Sequence, residues 1–322
     1  MAPENRGGRK WSGRTGGGTF GQRFILGLLR VTDVRVGYAI LAVVVPFYML
    51  FGRRGYRAIY GYFRQRVGYG PWRAFAKTYR NHFLFGQMML DRFAIYAGRG
   101  GFAIEVDNAA AFERLVEGER GFIVCGSHTG NFEIAGYLLR QERKRINGII
   151  FGGEAAEVQA QRSRVLGANN VRLVPVKEDM SHLFIVKAAL EAGEIVSLAC
   201  DRLLGSSKSV RCNLLGAPAD FPAGGFRIAA QTGVEMVAVF VMKSAWNRYR
   251  VYVRPLEAGG CAETSPRLRA EALAHSFAAE LESVLRQYPE QWFNFYDFWC
   301  AGTEENRYGA ERLPDGETNI LK

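Results

Sequence analysis

The chain's 322 residues are enough for one large domain or two ordinary ones with an ample core, and 48% of them are hydrophobic. Its five cysteines (Cys125, Cys200, Cys212, Cys261 and Cys300) show no CxxC pairing or zinc-ligand spacing, which sets aside zinc ribbons and dithiol redox centres and fits reduced core residues of a cytoplasmic body. The net charge of +11 is unevenly placed: residues 1–92 hold 16 of the 42 Lys/Arg but only Glu4, Asp33 and Asp91 of the 31 acids, a net +13, while the remainder comes to −2. Such asymmetry points to a polyanionic surface, either nucleic acid or an anionic lipid leaflet.

Residues 1–20 are rich in Gly and Arg and poor in apolar side chains, so a flexible basic tail is expected, and 1–35 form a lead-in. The apolar run starts late and no A-x-A-like site follows it, so a cleavable signal peptide fits poorly. Val36 to Phe51 is 16 residues without a charge, flanked by Arg35 and by Arg53-Arg54. As a helix it reaches about 24 Å at about 1.5 Å per residue, short of the roughly 30 Å hydrocarbon core. It can span with snorkelling arginines, insert partly as an anchor, or be an ordinary buried helix; Pro46 is expected to kink it. Gly55 to Arg92 reads as two or more helices with aromatics interleaved with arginine, suited to a lipid headgroup zone, to single-stranded nucleic acid, or to a solvated helical face. Residues 36–92 are thus expected to be a hydrophobic anchor helix followed by basic membrane-surface helices.

From Phe102 onward, short β-branched runs (104–106, 122–125, 146–151, 171–176, 195–199, 236–241 and 249–253) alternate with helical segments (109–116, 132–140, 181–192, 225–232 and 267–288). That rhythm predicts an α/β domain over 93–302 with a largely parallel sheet flanked by helices. Residues 303–322 are a polar C-terminal tail.

The most informative segment is His128-Thr129-Gly130-Asn131-Phe132-Glu133, between the apolar run 121–126 and an amphipathic stretch. A strand that delivers a histidine into a Gly/Asn turn, with a carboxylate at the mouth of the next helix, can supply a general base and its orienting partner. Open α/β sheets bind ligands at such strand ends. Glu133 is also what the helix macrodipole alone favours in a first turn. Ser127 lacks the glycines of a G-x-S-x-G elbow. Gly98 to Ala103 precedes its strand, whereas a dinucleotide fingerprint follows one. The four histidines are too scattered to suggest a metal site.

HTGNFE matches every fixed position of H-x-G-N-x-E, a form of the His-x-x-x-x-Asp/Glu motif. Cys200-Asp201-Arg202 stands where a Pro-Asp-Gln-like step follows an apolar strand. Leu215 to Ala219 is similar to F-G-x-P-A, Pro222 to Val234 to a glycine turn with its following helix, and Tyr288 to Trp292 to a P-E-Q-W ending. In this ordered set the chain resembles the bacterial lysophospholipid-acyltransferase-like proteins, specifically the branch that adds secondary acyl chains to lipid A and related glycolipids, over roughly Phe20 to Trp299.

The resemblance implies a glycerolipid acyltransferase-like fold behind an N-terminal helical membrane anchor. It implies an O-acyltransferase in which His128 deprotonates an acceptor hydroxyl, Glu133 holds the imidazole, and the oxygen attacks a thioester of acyl carrier protein or CoA. No cofactor or metal is implied, and the partners are that donor, a lipid or glycolipid acceptor and anionic membrane lipids. Nucleic acid is not expected. Asp201 matches a site aspartate, and Arg162 and Arg164 compete for a site arginine. Gly130 and Asn131 offer backbone N–H donors, and a guanidinium such as Arg202 a charge, for oxyanion or phosphate. The expected location is the cytoplasmic face of the inner membrane, anchored by residues 36–51. Cys200, Arg202 and Leu214-Leu215 depart from the family pattern where substrate is expected, which leaves the acceptor open between lipid A and another lipid. A nucleic-acid or membrane-surface binding protein and a thioesterase or lipid hydrolase are the competing classes.

Overall fold

The computed structural model describes residues 25, 27–99, 101–134, 142–151, 166–167, 169–176, 180–203, 208–259 and 265–300, apart from the side chains of residues 151 and 300. The basic tail at 1–20, the polar tail at 303–322, and both Arg162 and Arg164 lie outside the described residues.

Helix α1 (Val34–Phe51) begins at Asp33, whose side chain accepts the Arg35 N–H, and it runs through Pro46. It is long and apolar enough to cross a membrane, with a mean hydropathy of 2.0, yet only 22% of it is buried. Helices α2 (Arg53–Gly61) and α3 (Pro71–Tyr96) follow, joined by a π-helical turn at Tyr62–Arg66. The buried side of α1 lies antiparallel along α3. A Cβ on Gly37 would meet Leu90 and one on Gly86 would meet Leu41, while Tyr79 donates a hydrogen bond to the Ala42 carbonyl. The opposite side leaves Val43, Phe47, Tyr48, Leu50 and Phe51 exposed.

The α/β body follows in the expected rhythm: β1 (Ala103–Asp107), α4 (Ala109–Glu117), β2 (Phe122–Gly126), β3 (Ile146–Phe151), β4 (Val171–Val176), α5 (His182–Glu191), β5 (Ile195–Ala199), β6 (Ser209–Leu214), β7 (Ala217–Pro222), α6 (Gly224–Thr232), β8 (Met236–Ala245), β9 (Arg248–Pro255) and α7 (Pro266–Gln287). Seven strands form one sheet in the order β1-β9-β8-β2-β5-β3-β4. The run β8-β2-β5-β3-β4 is parallel, β9 is antiparallel to β8, and β1 is parallel to β9. Alternate side chains feed two cores, one on each face. Ile123, Cys125, Val196 and Phe240 pack against α6 and α7, and Phe122, Ile195, Val237 and Val241 pack with Leu115 and Val116 of α4. Burial of both faces is the usual state of a parallel sheet and explains why the central strands β2 and β8 read as nearly continuous apolar runs, whereas the edge strand β1 is largely exposed and carries Glu105.

Two features depart from the sequence expectations. Residues 209–222 form a separate two-stranded hairpin, β6–β7, closed by Leu215-Gly216 with φ of 52° and 76°. Positive φ at both central residues is what a two-residue hairpin turn matching strand twist requires. The Leu215 N–H donates to Glu282 on α7 at 2.6 Å, which ties the hairpin to that helix. Pro222 ends β7 and Gly224 opens α6, so Pro222 to Gly225 is the tight turn into the following helix. The N-terminal helices also share the main core. Tyr62 and Phe63 are buried there, and Tyr62 meets Trp292 edge-on at 5.3 Å.

Candidate active site

His128 lies two residues past the end of β2, and Asp201 two residues past the end of the neighbouring strand β5. The parallel register that pairs Gly126 with Ala199 therefore brings the two side chains together. Asp201 is fully buried and takes both donors that His128 offers. The His128 backbone N–H donates to Oδ2 at 2.8 Å, and Nδ1 lies 2.7 Å from Oδ1. A carboxylate can only accept, so the proton of this contact sits on Nδ1 and the lone pair of the neutral ring on Nε2. Trp292 Nε1–H adds a third donor to Oδ2 at 3.3 Å. Burial pushes the Asp201 carboxyl upward, but the charge of His128 when its ring is protonated, the two His128 hydrogen bonds and the Arg202 charge outweigh it and hold the group below the ordinary carboxylate range. The His128 side chain keeps 29% of its surface open, so the imidazole is held on one side and reachable on the other.

Glu133 was expected to hold the imidazole; the carboxylate on Nδ1 is instead Asp201. Glu133 forms an ion pair with Arg92 of α3, Nη1 to Oε1 at 3.2 Å, with the two side chains 20% and 8% exposed. The physical reason is directional: a residue in the first turn after the loop faces the helix packed across it, while the next strand end delivers its carboxylate alongside the histidine. Arg92 Nε also donates to Asn131 Oδ1 at 2.9 Å. One guanidinium thus holds both Asn131 and Glu133 of the motif.

The expectation that Gly130 and Asn131 present free backbone donors is corrected as well. The Gly130 N–H donates to the Gln291 carbonyl and the Asn131 N–H to the Val241 carbonyl, both at 2.8 Å. Asn131 is fully buried, and its Nδ2 reaches Met88 O and the Tyr249 hydroxyl, each at 3.3 Å. Gly130 adopts φ +54°, and a Cβ there would sit 2.0 Å from the Val241 carbonyl oxygen, so no side chain fits. These two residues shape the turn. Arg202 donates to Asn294 Oδ1 at 3.2 Å and lies over the Tyr296 ring at 5.3 Å. Ser127 is buried against Thr129 at 2.7 Å.

The segment 289–293 closes the site from the far end of the chain. Thr129 and Trp292 form an antiparallel bridge, and the Phe293 N–H donates to the His128 carbonyl at 2.8 Å. Asn81 of α3 holds this segment from outside through the Glu290 and Trp292 carbonyls at 2.9 and 2.8 Å. Chain order alone gave no sign of Arg92. Trp292 was visible in the P-E-Q-W ending but without a role.

Residues 91–300 match the family described as bacterial lipid A biosynthesis acyltransferase. The chain belongs to that family. It is an acyltransferase, and the matched span contains Arg92, the His128 turn, Asp201 and Trp292. Among solved structures, the crystal structure of the 1-acyl-sn-glycerophosphate (LPA) acyltransferase PlsC from Thermotoga maritima is similar at 15% identity with a TM-score of 0.36, over 78% of this chain and 98% of that one. No curated protein matches the chain.

Proposed function

We propose that this acyltransferase moves a fatty acyl chain from a thioester, carried by acyl carrier protein or CoA, to a hydroxyl of a lipid A-like glycolipid or another lipid, with His128 as general base. The observation that carries the reading is the imidazole, open on one side and locked through Nδ1 by the buried Asp201. Nε2 takes the proton of the acceptor hydroxyl as its oxygen attacks the thioester carbonyl. The tetrahedral intermediate then collapses, the C–S bond breaks, and the same proton passes to the departing sulfur. Asp201 keeps Nδ1 protonated and stabilises the imidazolium between these steps. In this reading Glu133 acts with Arg92 to hold the turn.

The apolar flank of α1 and the basic character of residues 1–92 support a place at an anionic membrane surface, on the cytoplasmic face of the inner membrane. Because α1 is packed along α3 over its buried side, the reading favours insertion through the exposed flank. The test is transfer of a labelled acyl chain from purified acyl carrier protein or acyl-CoA to extracted lipid, followed by mass spectrometry. An acceptor heavier by one acyl unit, absent with His128→Ala, is the expected result. Release of free fatty acid regardless of acceptor overturns the transfer reading in favour of hydrolysis.

A further inference from the structure

Beneath the catalytic turn lies a buried ionic group that the reaction above does not use. Asp91 on α3 and Lys243 on β8 form an ion pair, their side chains 0% and 3% exposed. The Tyr249 hydroxyl donates to the same Asp91 oxygen, Oδ2, and the Tyr38 hydroxyl donates to the other, Oδ1. Lys243 Nζ also donates to the Trp246 carbonyl at 2.9 Å and to the Tyr38 hydroxyl at 3.1 Å. Removing two charges from water is costly, and a well-packed apolar pair of similar volume commonly serves stability as well or better. Stability alone therefore gives little reason for the pair.

Its connections give a better one. The Tyr249 hydroxyl accepts from Asn131 Nδ2 at 3.3 Å. The backbone of Lys243 is clamped on both sides by the Gln291 amide, at 2.9 and 2.8 Å, and the Gln291 carbonyl in turn accepts the Gly130 N–H. Arg92, the next residue after Asp91, holds Asn131 Oδ1. The turn after His128 thus hangs from groups bonded to, or adjacent to, the Asp91–Lys243 pair. One of that pair's ligands, Tyr38, comes from the apolar helix α1.

We propose that Asp91, Lys243 and Tyr249 are positioning residues for the catalytic turn, and that Tyr38 makes the seating of α1 on α3 a condition of that turn's geometry. The catalytic consequence rests on the acyl-transfer reading; the mechanical link does not. Without the Tyr38 hydroxyl, Asp91 Oδ1 becomes a buried acceptor short of a donor. The carboxylate then turns to share Lys243 and Tyr249, which draws the Tyr249 hydroxyl away from Asn131. The apolar helix is in this sense a working part of the catalytic domain as well as its anchor.

Tyr38→Phe and Tyr249→Phe each remove a single hydroxyl. In the full-length protein in detergent, hydrogen exchange of the peptide covering 127–134 should rise about fivefold or more in both variants, with the β2 and β5 peptides unchanged. With a thioester donor and a lipid acceptor, kcat should fall about tenfold while KM stays within about twofold. The double variant Asp91→Leu/Lys243→Met strands the buried Tyr38 and Tyr249 hydroxyls, so its unfolding midpoint should fall; assayed where it is still folded it should lose turnover, which a purely structural pair would not do. Unchanged exchange at 127–134 in both tyrosine variants overturns the link, and unchanged kcat in a loosened variant overturns the positioning role. A wild-type protein with a well-protected turn but no acyl transfer overturns the transfer reading, while the exchange data still decide the link.

Discussion

Replacing Asp201 by asparagine removes one negative charge from a fully buried position with almost no change of shape. In the native site Oδ2 accepts two N–H groups, from His128 and Trp292, and Oδ1 faces His128 Nδ1. An asparagine keeps its single oxygen where two donors converge, so its NH2 group must face Nδ1. Nδ1 then has to accept, the ring proton moves to Nε2, and the nitrogen that should take the hydroxyl proton is already protonated. At a comparable buried carboxylate–histidine pair such a misdirected tautomer lowers turnover by about 10⁴-fold. That is about 5 kcal/mol of transition-state stabilisation at about 1.4 kcal/mol per decade. The assay is single-turnover transfer of a labelled acyl chain from its thioester to the lipid acceptor, with KM measured alongside. The expected outcome is a drop of about 10³- to 10⁴-fold in kcat with KM within about threefold. An Asp201→Asn enzyme that keeps more than about a third of wild-type kcat, beside a Glu133→Gln enzyme that is dead, would refute the reasoning and return the orienting role to Glu133.

Further outcomes follow from the same geometry. Because Asp201 is held below the ordinary aspartate range in the folded protein, its contribution to stability is fully present above about pH 4 and is lost as pH falls through the folded value. Melting temperatures from pH 6 down to 3 should fall more steeply for wild type than for Asp201→Asn; parallel curves would contradict this. Arg92→Ala removes the ion-pair partner of Glu133 and a donor to Asn131, and should cost about 1–3 kcal/mol in urea unfolding, together with turnover. Gly130→Ala places a Cβ against the Val241 carbonyl at a positive φ and should prevent the turn from forming, seen as loss of both activity and soluble yield. Cys125 and Cys212 should resist iodoacetamide in the native protein: burial raises both thiols, Cys212 to about 12, so little reactive thiolate exists until the chain unfolds. Rapid native labelling at either would contradict their placement.

Much of this architecture was legible in the sequence because it is written in local patterns. The seven strands of the large sheet fall on the β-branched runs, and these are uninterrupted in β2 and the first part of β8, where both faces of the sheet are buried. The hairpin at 209–222 was not legible: Ser209 to Leu214 mixes charge with apolar residues, and its turn places Leu215 in a left-handed conformation that few leucines adopt. His128 was legible from its setting between a strand and a Gly-Asn turn. Its partner was misread because sequence spacing favours the nearest acid, Glu133, whereas a parallel sheet brings together residues at the ends of adjacent strands however far apart they lie in the chain. Asp201 was visible only as a motif match. Arg92, Lys243 and Tyr249 carry no local signal, because their roles exist only once α3 and β8 are packed beneath the turn.

The measurement that bears most directly on the account is transfer itself, with purified wild-type protein and His128→Ala compared side by side on one thioester donor and one membrane-lipid extract. The account predicts a lipid product heavier by one acyl group from the wild type, and none from a variant that stays folded and detergent-soluble to the same degree. The same product formed at a comparable rate by the variant would contradict it.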